Sequence, residues 1–182
     1  MGTKDAGIAR ILIDEATIHA RIAELAAELD DRYANQPPLL VGVLTGAVTF
    51  MVDLMQAMTS AVEIDFMAVS SYGASTRSSG VVQILKDLSQ PIGGRHVVIV
   101  EDIVDSGLTL QYLLEVLQTR GPASIRVVAL LKKEKADAVA VQVDSVGFVI
   151  PDEFVVGYGL DYAGRYRNLT YVGVLDASAI GA

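Results

Sequence analysis

Three carboxylates lie close together in one short stretch of the sequence and could bind sugar hydroxyls, a metal ion or a proton. Glu101, Asp102 and Asp105 follow the apolar run 97–100, and a serine and a glycine come directly after them. These two small residues allow a tight turn into a helix predicted over 108–119. A strand, a small-residue loop and a helix N-terminus together present backbone N–H groups and the positive end of a dipole, which suits a phosphate. The stretch therefore predicts a sugar-phosphate site that contains an acid/base residue.

The elements that must position these carboxylates alternate between strands and helices. Strands are predicted over 11–13, 39–44, 62–69, 81–85, 96–100, 125–131 and 146–150, and helices from a cap at Asp14, over 47–58 and over 108–119. The run 97–100 shows no polar alternation, so both of its faces are expected to be covered. Strand–helix alternation after residue 38 indicates βαβ units and a mostly parallel sheet.

Residues 70–80 form a long polar segment, rich in glycine and serine, between two predicted strands. A linker is one interpretation, but it would lie in the middle of a domain. A loop of this length inside a compact domain is usually functional. We therefore predict a mobile active-site loop that includes Ser71 and Tyr72.

Length and composition indicate one α/β domain that spans residues 1–182. A chain of 182 residues can bury a substantial core, and no apolar run approaches the ~20 residues that a membrane span needs. The sequence has no cysteine, which excludes disulfides, thiolate nucleophiles and zinc–thiolate sites. A cytoplasmic location is expected on the same ground.

The formal net charge of −8 argues against a general nucleic-acid-binding protein, because such proteins carry a basic surface. The only tight basic group is formed by Lys132, Lys133 and Lys135. An anionic substrate must then be held by local donors and Mg²⁺, since the overall field opposes it. A P-loop nucleotide hydrolase is excluded as far as sequence allows, because the chain has no G-x-x-x-x-G-K-[ST] motif.

Residues 97–109 resemble the phosphoribosyl pyrophosphate (PRPP) motif of the type I phosphoribosyltransferases: an apolar strand, two acids, two apolar residues, then Asp-Ser-Gly-x-Thr. Further segments are similar to the hypoxanthine-guanine branch of that family, in family order. They are 44–46, 71–72, 130–133, 154–162 and 165–167. The resemblance implies a mostly parallel central sheet flanked by helices, with a core of about 36–150 and a small hood from about 1–20 and 151–182.

The same resemblance implies a Mg²⁺-dependent enzyme that joins a 6-oxopurine (hypoxanthine or guanine) to PRPP through N9. Pyrophosphate would leave, and IMP or GMP would form. The transition state is expected to resemble a ribosyl oxocarbenium ion, so the site must stabilise that cation and exclude water. Relatives are commonly dimers or tetramers, so a homo-oligomer is expected as well.

The resemblance assigns the phosphoribosyl part of the site to residues 101–109. Backbone amides and hydroxyl groups would enclose the 5′-phosphate at Asp105, Ser106, Gly107, Leu108 and Thr109. Glu101 and Asp102 would bind the ribose hydroxyls, directly or through Mg²⁺. Asp105 would also act as the general base that takes the N7 proton. A helix-capping aspartate is the structural alternative for Asp105.

The pyrophosphate part is assigned, again by resemblance, to Leu44, Thr45, Gly46 and Arg167. Thr45 replaces a lysine that relatives often carry, which removes a side-chain charge but not the backbone amides. The family often has a cis peptide bond at the position of Leu44–Thr45. The forked donors of Arg167 suit pyrophosphate, with Arg165 as the nearby alternative.

Lys133 would donate a hydrogen bond to the purine O6. Adenine carries an amino donor at that position and would leave the buried ammonium unpaired, at a cost of ~1–3 kcal/mol or more. This mechanism would reject adenine. The alternative interpretation, a solvated lysine, fits Lys132 and Lys135 more naturally.

Three further residues complete the predicted base site. Phe154 would stack on the purine, the backbone of Val155 would contact its Watson–Crick edge, and Asp161 would border the base. Asp161 would also join Glu101 and Asp102 in holding Mg²⁺. Since an aromatic residue near a strand end is more often part of the core, the role of Phe154 depends on the resemblance alone.

Two other functions remain as alternatives at this stage. One is a phosphoribosyltransferase that acts on xanthine or on a pyrimidine. The other is a regulator that keeps the PRPP-binding fold but binds RNA or DNA, although such relatives typically add a basic surface or a further domain.

Overall fold

The computed structural model describes residues 5–71, 82–135 and 138–179. This part of the chain contains two β-sheets and three α-helices. The helices are α1 (Glu15–Tyr33), α2 (Val48–Ala57) and α3 (Leu108–Gln118). The strands are β1 (Ile8–Ile13), β2 (Leu39–Leu44), β3 (Glu63–Ser71), β4 (Val82–Lys86), β5 (His96–Val104), β6 (Ser124–Lys133), β7 (Ser145–Ile150), β8 (Val155–Val156) and β9 (Val172–Leu175).

The larger sheet has six strands in the order β4-β3-β2-β5-β6-β7. All of its pairings are parallel except that of β3 with β4. The mostly parallel α/β fold predicted from the sequence is therefore confirmed. Because the carboxyl ends of parallel strands meet at one edge of a sheet, the residues after β2, β5 and β6 share the same edge.

The smaller sheet joins the two ends of the chain. Its three antiparallel strands lie in the order β1-β9-β8, with Ile8 opposite Leu175 and Val155 opposite Val174. The N-terminal strand thus fixes the C-terminal segment 155–175, which carries several of the predicted site residues.

Helices cover both faces of the larger sheet. One apolar stripe of α1 is buried, at Ile18, Ile22, Leu25 and Leu29, which recur at helical spacing. It packs in one core cluster with residues of α2, whereas α3 contributes to a second cluster. Asp14 caps α1 as predicted, because its carboxylate accepts a hydrogen bond from Thr17 N. None of the described helices is long and apolar enough to cross a lipid bilayer.

Six strands extend beyond their predicted bounds: β1 begins three residues earlier and β7 one residue earlier, β3, β4 and β5 end later, and β6 is longer at both ends. The prediction ended β5 at residue 100, yet Glu101 and Val104 continue the ladder opposite Ala129 and Lys132 of β6. Likewise β6 runs through Lys133. The predicted ends of β5 and β6 were wrong because they stopped where the uninterrupted apolar run stops, whereas backbone pairing with the neighbouring strand continues through the polar residues that follow.

Candidate active site

A small cavity of about 210 Å³ lies where β5 leads into α3. Its walls include Glu101, Asp102, Asp105, Ser106 and Thr109. We call it the small cavity. The single segment 101–109 supplies most of its lining, so the sequence-predicted phosphate residues do come together.

The start of α3 suits an anion. Gly107 is the N-cap residue, with a left-handed φ of +80°, and no side chain caps the helix. The first N–H groups of a helix have no intrahelical partner, so those of α3 remain available to a phosphate. Asp105 does not cap this helix, and the structural alternative for that residue was wrong.

The loop after β2 touches the carboxylate of Asp102. A Cβ atom on Gly46 would lie 1.5 Å from Asp102 Oδ2, so only glycine allows this approach. The Leu44–Thr45 peptide bond is cis, as the sequence resemblance suggested. Thr45 is exposed and Gly46 is buried. Residues 44–46 and the acidic end of β5 therefore form one continuous surface.

Glu101 and Asp102 are acids in an environment that disfavours their charge. Glu101 is 6% exposed, and burial together with the neighbouring Asp102 raises its pKa well above the usual range. Burial also raises the pKa of Asp102, to about 6, with a smaller increase from Asp161 and opposing effects from backbone N–H groups and Arg167. No ion pair forms at either carboxylate within the described residues. A cation would relieve this unfavourable charge.

Asp161 and Arg167 lie on the C-terminal segment next to the loop 44–46. Arg167 Nη2 is 2.6 Å from Asp161 Oδ1, and Arg167 Nη1 donates to the carbonyl of Gly159 at 2.6 Å. A Cβ on Gly159 would lie 2.1 Å from the carbonyl oxygen of Gly46, so the two backbones are in direct contact. Arg167 rather than the exposed Arg165 therefore borders the loop.

A second cavity of about 650 Å³, the large cavity, adjoins the small one and shares Val104 and Asp105 with it. Its lining includes Lys132, Lys133, Lys135 and Val139. The lining segment 138–141 crosses the start of the phosphate loop, because Val139 N donates to Ser106 O at 2.9 Å. Asp105 thus lies between the two cavities.

Two lysines and two aspartates form a network of ion pairs at the large cavity. Lys133 Nζ lies 3.6 Å from Asp105 Oδ2 and 3.2 Å from Asp152 Oδ1. Lys135 Nζ lies 2.5 Å from Asp105 Oδ1 and 3.3 Å from Asp152 Oδ1. The hydrogen bond to Asp105 raises the pKa of Lys135. The side chain of Lys133 is only 10% exposed, as a base-contacting donor requires.

Two members of this network, Lys135 and Asp152, were not predicted from the sequence. Lys135 was interpreted as a solvated lysine, but it bridges Asp105 and Asp152. Its spacing of two from Lys133 was a usable signal, because residues two apart in an extended chain share a face. Asp152 gave no such signal.

Other predicted residues lie outside both cavities. Phe154 is 42% exposed and contacts Tyr162 edge to face at 5.6 Å, and Val155 is buried in β8. Neither contributes to the described lining of a cavity. Leu108 projects into solvent at the start of α3. Ser71 ends β3, whereas Tyr72 and the rest of the predicted active-site loop lie outside the described residues.

Comparison with known proteins gives one consistent family. Residues 12–163 match the phosphoribosyl transferase domain. The chain is 52% identical to hypoxanthine-guanine phosphoribosyltransferase of Bacillus subtilis, over 92% of this chain and 93% of that protein. It is also 52% identical to the bifunctional protein TilS/HprT of Listeria innocua, but spans only 26% of its length. A hypoxanthine phosphoribosyltransferase structure from Staphylococcus aureus superposes with a TM-score of 0.94 at 41% identity, covering 100% of this chain and 98% of that one.

Proposed function

This chain belongs to the phosphoribosyltransferase family, and from that premise we propose that it transfers the 5-phosphoribosyl group of PRPP to N9 of hypoxanthine or guanine. The reaction releases pyrophosphate and forms IMP or GMP, which is a step of purine salvage. The family resemblance seen in the sequence, the fold class and the enzyme class are confirmed by the matches to relatives and solved structures.

One observation carries the proposal: Asp105 stands between two adjoining cavities of different chemistry. The small cavity offers helix N–H groups and carboxylates, which suit a ribose phosphate. The large cavity offers partly buried ammonium donors and valine side chains, which suit a flat heterocycle with a carbonyl group. A group between the two is at the point where a bond between sugar and base would form.

In the proposed reaction the C1′–N9 bond forms as the bond from C1′ to pyrophosphate breaks. Asp105 takes the proton from N7 of the purine, and the electron pair of the broken bond leaves with pyrophosphate. Arg167 and the backbone of residues 44–46 hold the leaving group. The N–H groups at the start of α3 hold the 5′-phosphate, so that both ends of the sugar are fixed during the transfer.

Lys133 selects the base in this proposal. Its ammonium group is nearly buried and donates to the purine O6, while adenine would leave it without an acceptor. Phe154 and Val155 are proposed to contact the base from the C-terminal segment. Phe154 presents an exposed ring, as stacking requires, and Asp152 lies two residues before it at the large cavity.

We propose Mg²⁺ as the cofactor, held by Glu101, Asp102 and Asp161 together with PRPP. Within the described residues no group of three His, Cys, Asp or Glu side chains is placed to hold a metal ion, so Glu101, Asp102 and Asp161 do not surround one position in this structure. Mg²⁺ does not need three carboxylates, because it usually keeps several waters and binds one or two carboxylates plus substrate phosphates. The raised pKa of Asp102, to about 6, fits a site that a cation completes. When bound, Mg²⁺ neutralises charge on the departing pyrophosphate.

The remaining parts of the proposal concern the protein in its surroundings. We propose a single phosphoribosyltransferase domain, with the six-stranded sheet as core and the three-stranded sheet as hood. We further propose that it acts in the cytoplasm, as a homodimer or homotetramer, on small-molecule substrates rather than on nucleic acid or membranes. The net charge of −8 supports the last point.

Pyrophosphate release tests this function directly. The purified protein is incubated with PRPP and Mg²⁺ and with hypoxanthine, guanine, xanthine, adenine, orotate or uracil in parallel. Release with hypoxanthine or guanine, but not with adenine or the pyrimidines, is the expected result. Release only with xanthine or a pyrimidine would identify another enzyme of the family. Folded protein that binds PRPP but is silent with every base would favour the regulator.

A further inference from the structure

A buried tyrosine on the C-terminal segment is hydrogen-bonded to α2, one of the helices that pack against the larger sheet. The hydroxyl of Tyr158 donates to the carboxylate of Asp53 on α2. Tyr158 is 2% exposed, and burial together with this contact raises its pKa far above the usual range. A second group, His19 of α1, lies 3.4 Å from the same carboxylate oxygen. Neither Asp53 nor Tyr158 lines the two cavities.

The backbone around Tyr158 is tied to Arg167. Tyr158 has a left-handed φ of +49°, which is unusual for a bulky residue and persists only where the surroundings enforce it. Its N–H donates to Leu169 O at 2.9 Å, and Gly159 N donates to Arg167 O at 3.0 Å. With the bond from Arg167 Nη1 back to Gly159 O, these contacts make the turn 157–161 and Arg167 one unit.

The partner of Tyr158 is equally tied to the loop 44–46. α2 begins at Val48, and Val48 N donates to Thr45 O at 3.3 Å. A shift of α2 therefore shifts the loop. The turn meets this assembly through the backbone contact of Gly159 with Gly46, through the hydrogen bond from Tyr158 to Asp53, and through the core cluster that Tyr158 and Leu160 share with α2. The hydrogen bond is the directional contact among them, so it fixes the orientation of the turn against α2.

We propose that Tyr158 and Asp53 are positioning residues for pyrophosphate: their hydrogen bond holds Arg167 and Asp161 in register with the loop 44–46. This inference rests on the proposed function, which assigns pyrophosphate to that loop and to Arg167. It adds two residues that touch neither cavity and act through the turn 157–161. Lys133 and Asp105 lie on β6 and after β5, outside this unit, so the contacts proposed at the purine O6 and N7 do not depend on it. Asp161 is the one proposed base contact that belongs to the unit.

Tyr158→Phe tests the proposal, because it removes only the hydroxyl. In the reverse reaction, from nucleotide and pyrophosphate, KM for pyrophosphate should rise ~5–150-fold, the range expected when a buried hydrogen bond is lost. KM for PRPP should rise in the forward reaction, while KM for hypoxanthine should rise far less, because Lys133 and Asp105 lie outside the unit. A general loss of structure would instead affect both substrates together.

Tyr171→Phe is the matched control. Tyr171 also donates its hydroxyl to a carboxylate, that of Asp5 at 2.7 Å, and this bond lies outside the unit that holds Arg167. Tyr171→Phe should leave KM for pyrophosphate unchanged. Asp53 allows a second test if Tyr158→Phe does not fold. Asp53→Ala should reproduce the rise in KM, whereas Asp53→Asn, which keeps an acceptor oxygen, should restore most of the affinity.

Two outcomes would overturn the inference, and they are distinguishable from failure of the proposed function. Unchanged KM for pyrophosphate in both Tyr158→Phe and Asp53→Ala would remove the positioning role while leaving the enzyme in place. An equal rise in Tyr171→Phe would show a general effect of weakening the hood. If the wild-type protein bound neither PRPP nor Mg²⁺-pyrophosphate in direct titration, the proposed function itself would fail, and the inference with it.

Discussion

The two cavities that meet at Asp105 differ in how their charges are balanced. In the small cavity the neighbouring carboxylates of Glu101 and Asp102 repel each other. No cationic side chain among the described residues forms an ion pair with either of them. In the large cavity Lys133 and Lys135 already share the carboxylates of Asp105 and Asp152. The acids of the small cavity lack a counter-charge, whereas two lysines and two aspartates at the large cavity are paired with one another.

This difference predicts different requirements for the two ligands. A ligand of the small cavity must bring a cation, because two poorly solvated acids favour protonation or a metal over a bare phosphate. A ligand of the large cavity must instead take over hydrogen bonds from an existing network, because it competes with Asp105 and Asp152 for the lysines. Asp105 belongs to both cavities, so the two ligands would bind on either side of one carboxylate.

The largest expected effect is that of Asp105→Asn. This change keeps the shape of the wall between the cavities but removes the proton acceptor. Turnover should fall by ~10²–10⁴-fold, the usual contribution of a general base. The affinity for PRPP should change little, because the helix N–H groups are intact. The measurements are single-turnover kinetics and direct titration with PRPP.

Asp152→Asn is the control for that experiment, because it takes a carboxylate from the same two lysines without touching the small cavity. Its turnover should stay within a few-fold of wild type. If Asp105→Asn lost no more turnover than Asp152→Asn, Asp105 would be only a partner of the lysines.

Asp102→Asn should make the ligand-free protein more stable at neutral pH. The pKa of Asp102 is raised to about 6 in the folded state, so the stability that its protonated form contributes is fully present below about pH 4 and is lost as pH rises through 6. Asn cannot ionise, so the free energy of unfolding of Asp102→Asn should exceed that of wild type only slightly at pH 4. The difference should reach up to about 3 kcal/mol above pH 6. Denaturant unfolding across that pH range measures this difference.

Asp87→Asn should change the stability of the protein at neutral pH in the opposite direction. The hydrogen bonds from Arg120 lower the pKa of Asp87, so its contribution to stability is present above the unfolded pKa and is lost in acid. Asp87→Asn should therefore be less stable than wild type at neutral pH. A pH-independent difference for Asp102→Asn would contradict the description of the small cavity.

Lys133→Ala should narrow the preference for 6-oxopurines over adenine. The substitution removes the hydrogen bond to O6, so kcat/KM for hypoxanthine should fall by ~5–150-fold, the range of a buried polar contact. It also removes the donor that adenine would leave unpaired, so kcat/KM for adenine should not fall in parallel. The comparison of kcat/KM for the two bases is the measurement. An unaltered base profile would remove Lys133 from base recognition.

The smallest effect is expected for Lys135→Ala. It removes two ion pairs that a base must displace, and such partly exposed pairs contribute about 0.2–1 kcal/mol. KM for hypoxanthine should therefore fall by ~1.5–5-fold. Lys132→Ala is the comparison, because Lys132 lines the same cavity without an ion pair among the described contacts. A large rise in KM for Lys135→Ala would mean that this lysine binds substrate directly.

The small cavity could be predicted from the sequence because it is nearly continuous in the chain. Strand, carboxylates, turn and helix start follow one another within residues 97–109, so the local pattern contains the site. The predicted end of β5 was wrong, because the apolar run 97–100 stops before Glu101 while backbone pairing with β6 continues. That error did not affect the identity of the phosphate-binding residues.

The large cavity could be predicted only in part, because strand register builds it. Lys133 pairs with Ile150 across β6 and β7, so Lys135 and Asp152 each lie two residues beyond the same pair. This register brings the two side chains together, and nothing in the local sequence reveals it. The contact of Tyr158 with Asp53 likewise arises from tertiary structure alone.

The central claim is that PRPP and a 6-oxopurine bind on opposite sides of Asp105. The most direct measurement is a crystal structure with Mg²⁺, PRPP and a 6-oxopurine analogue that carries carbon at position 9 and cannot form the N9 bond. The account predicts the 5′-phosphate at the start of α3, the purine O6 at Lys133 and the carboxylate of Asp105 at N7. A base bound elsewhere, with Lys133 still paired to Asp105 and Asp152, would contradict it.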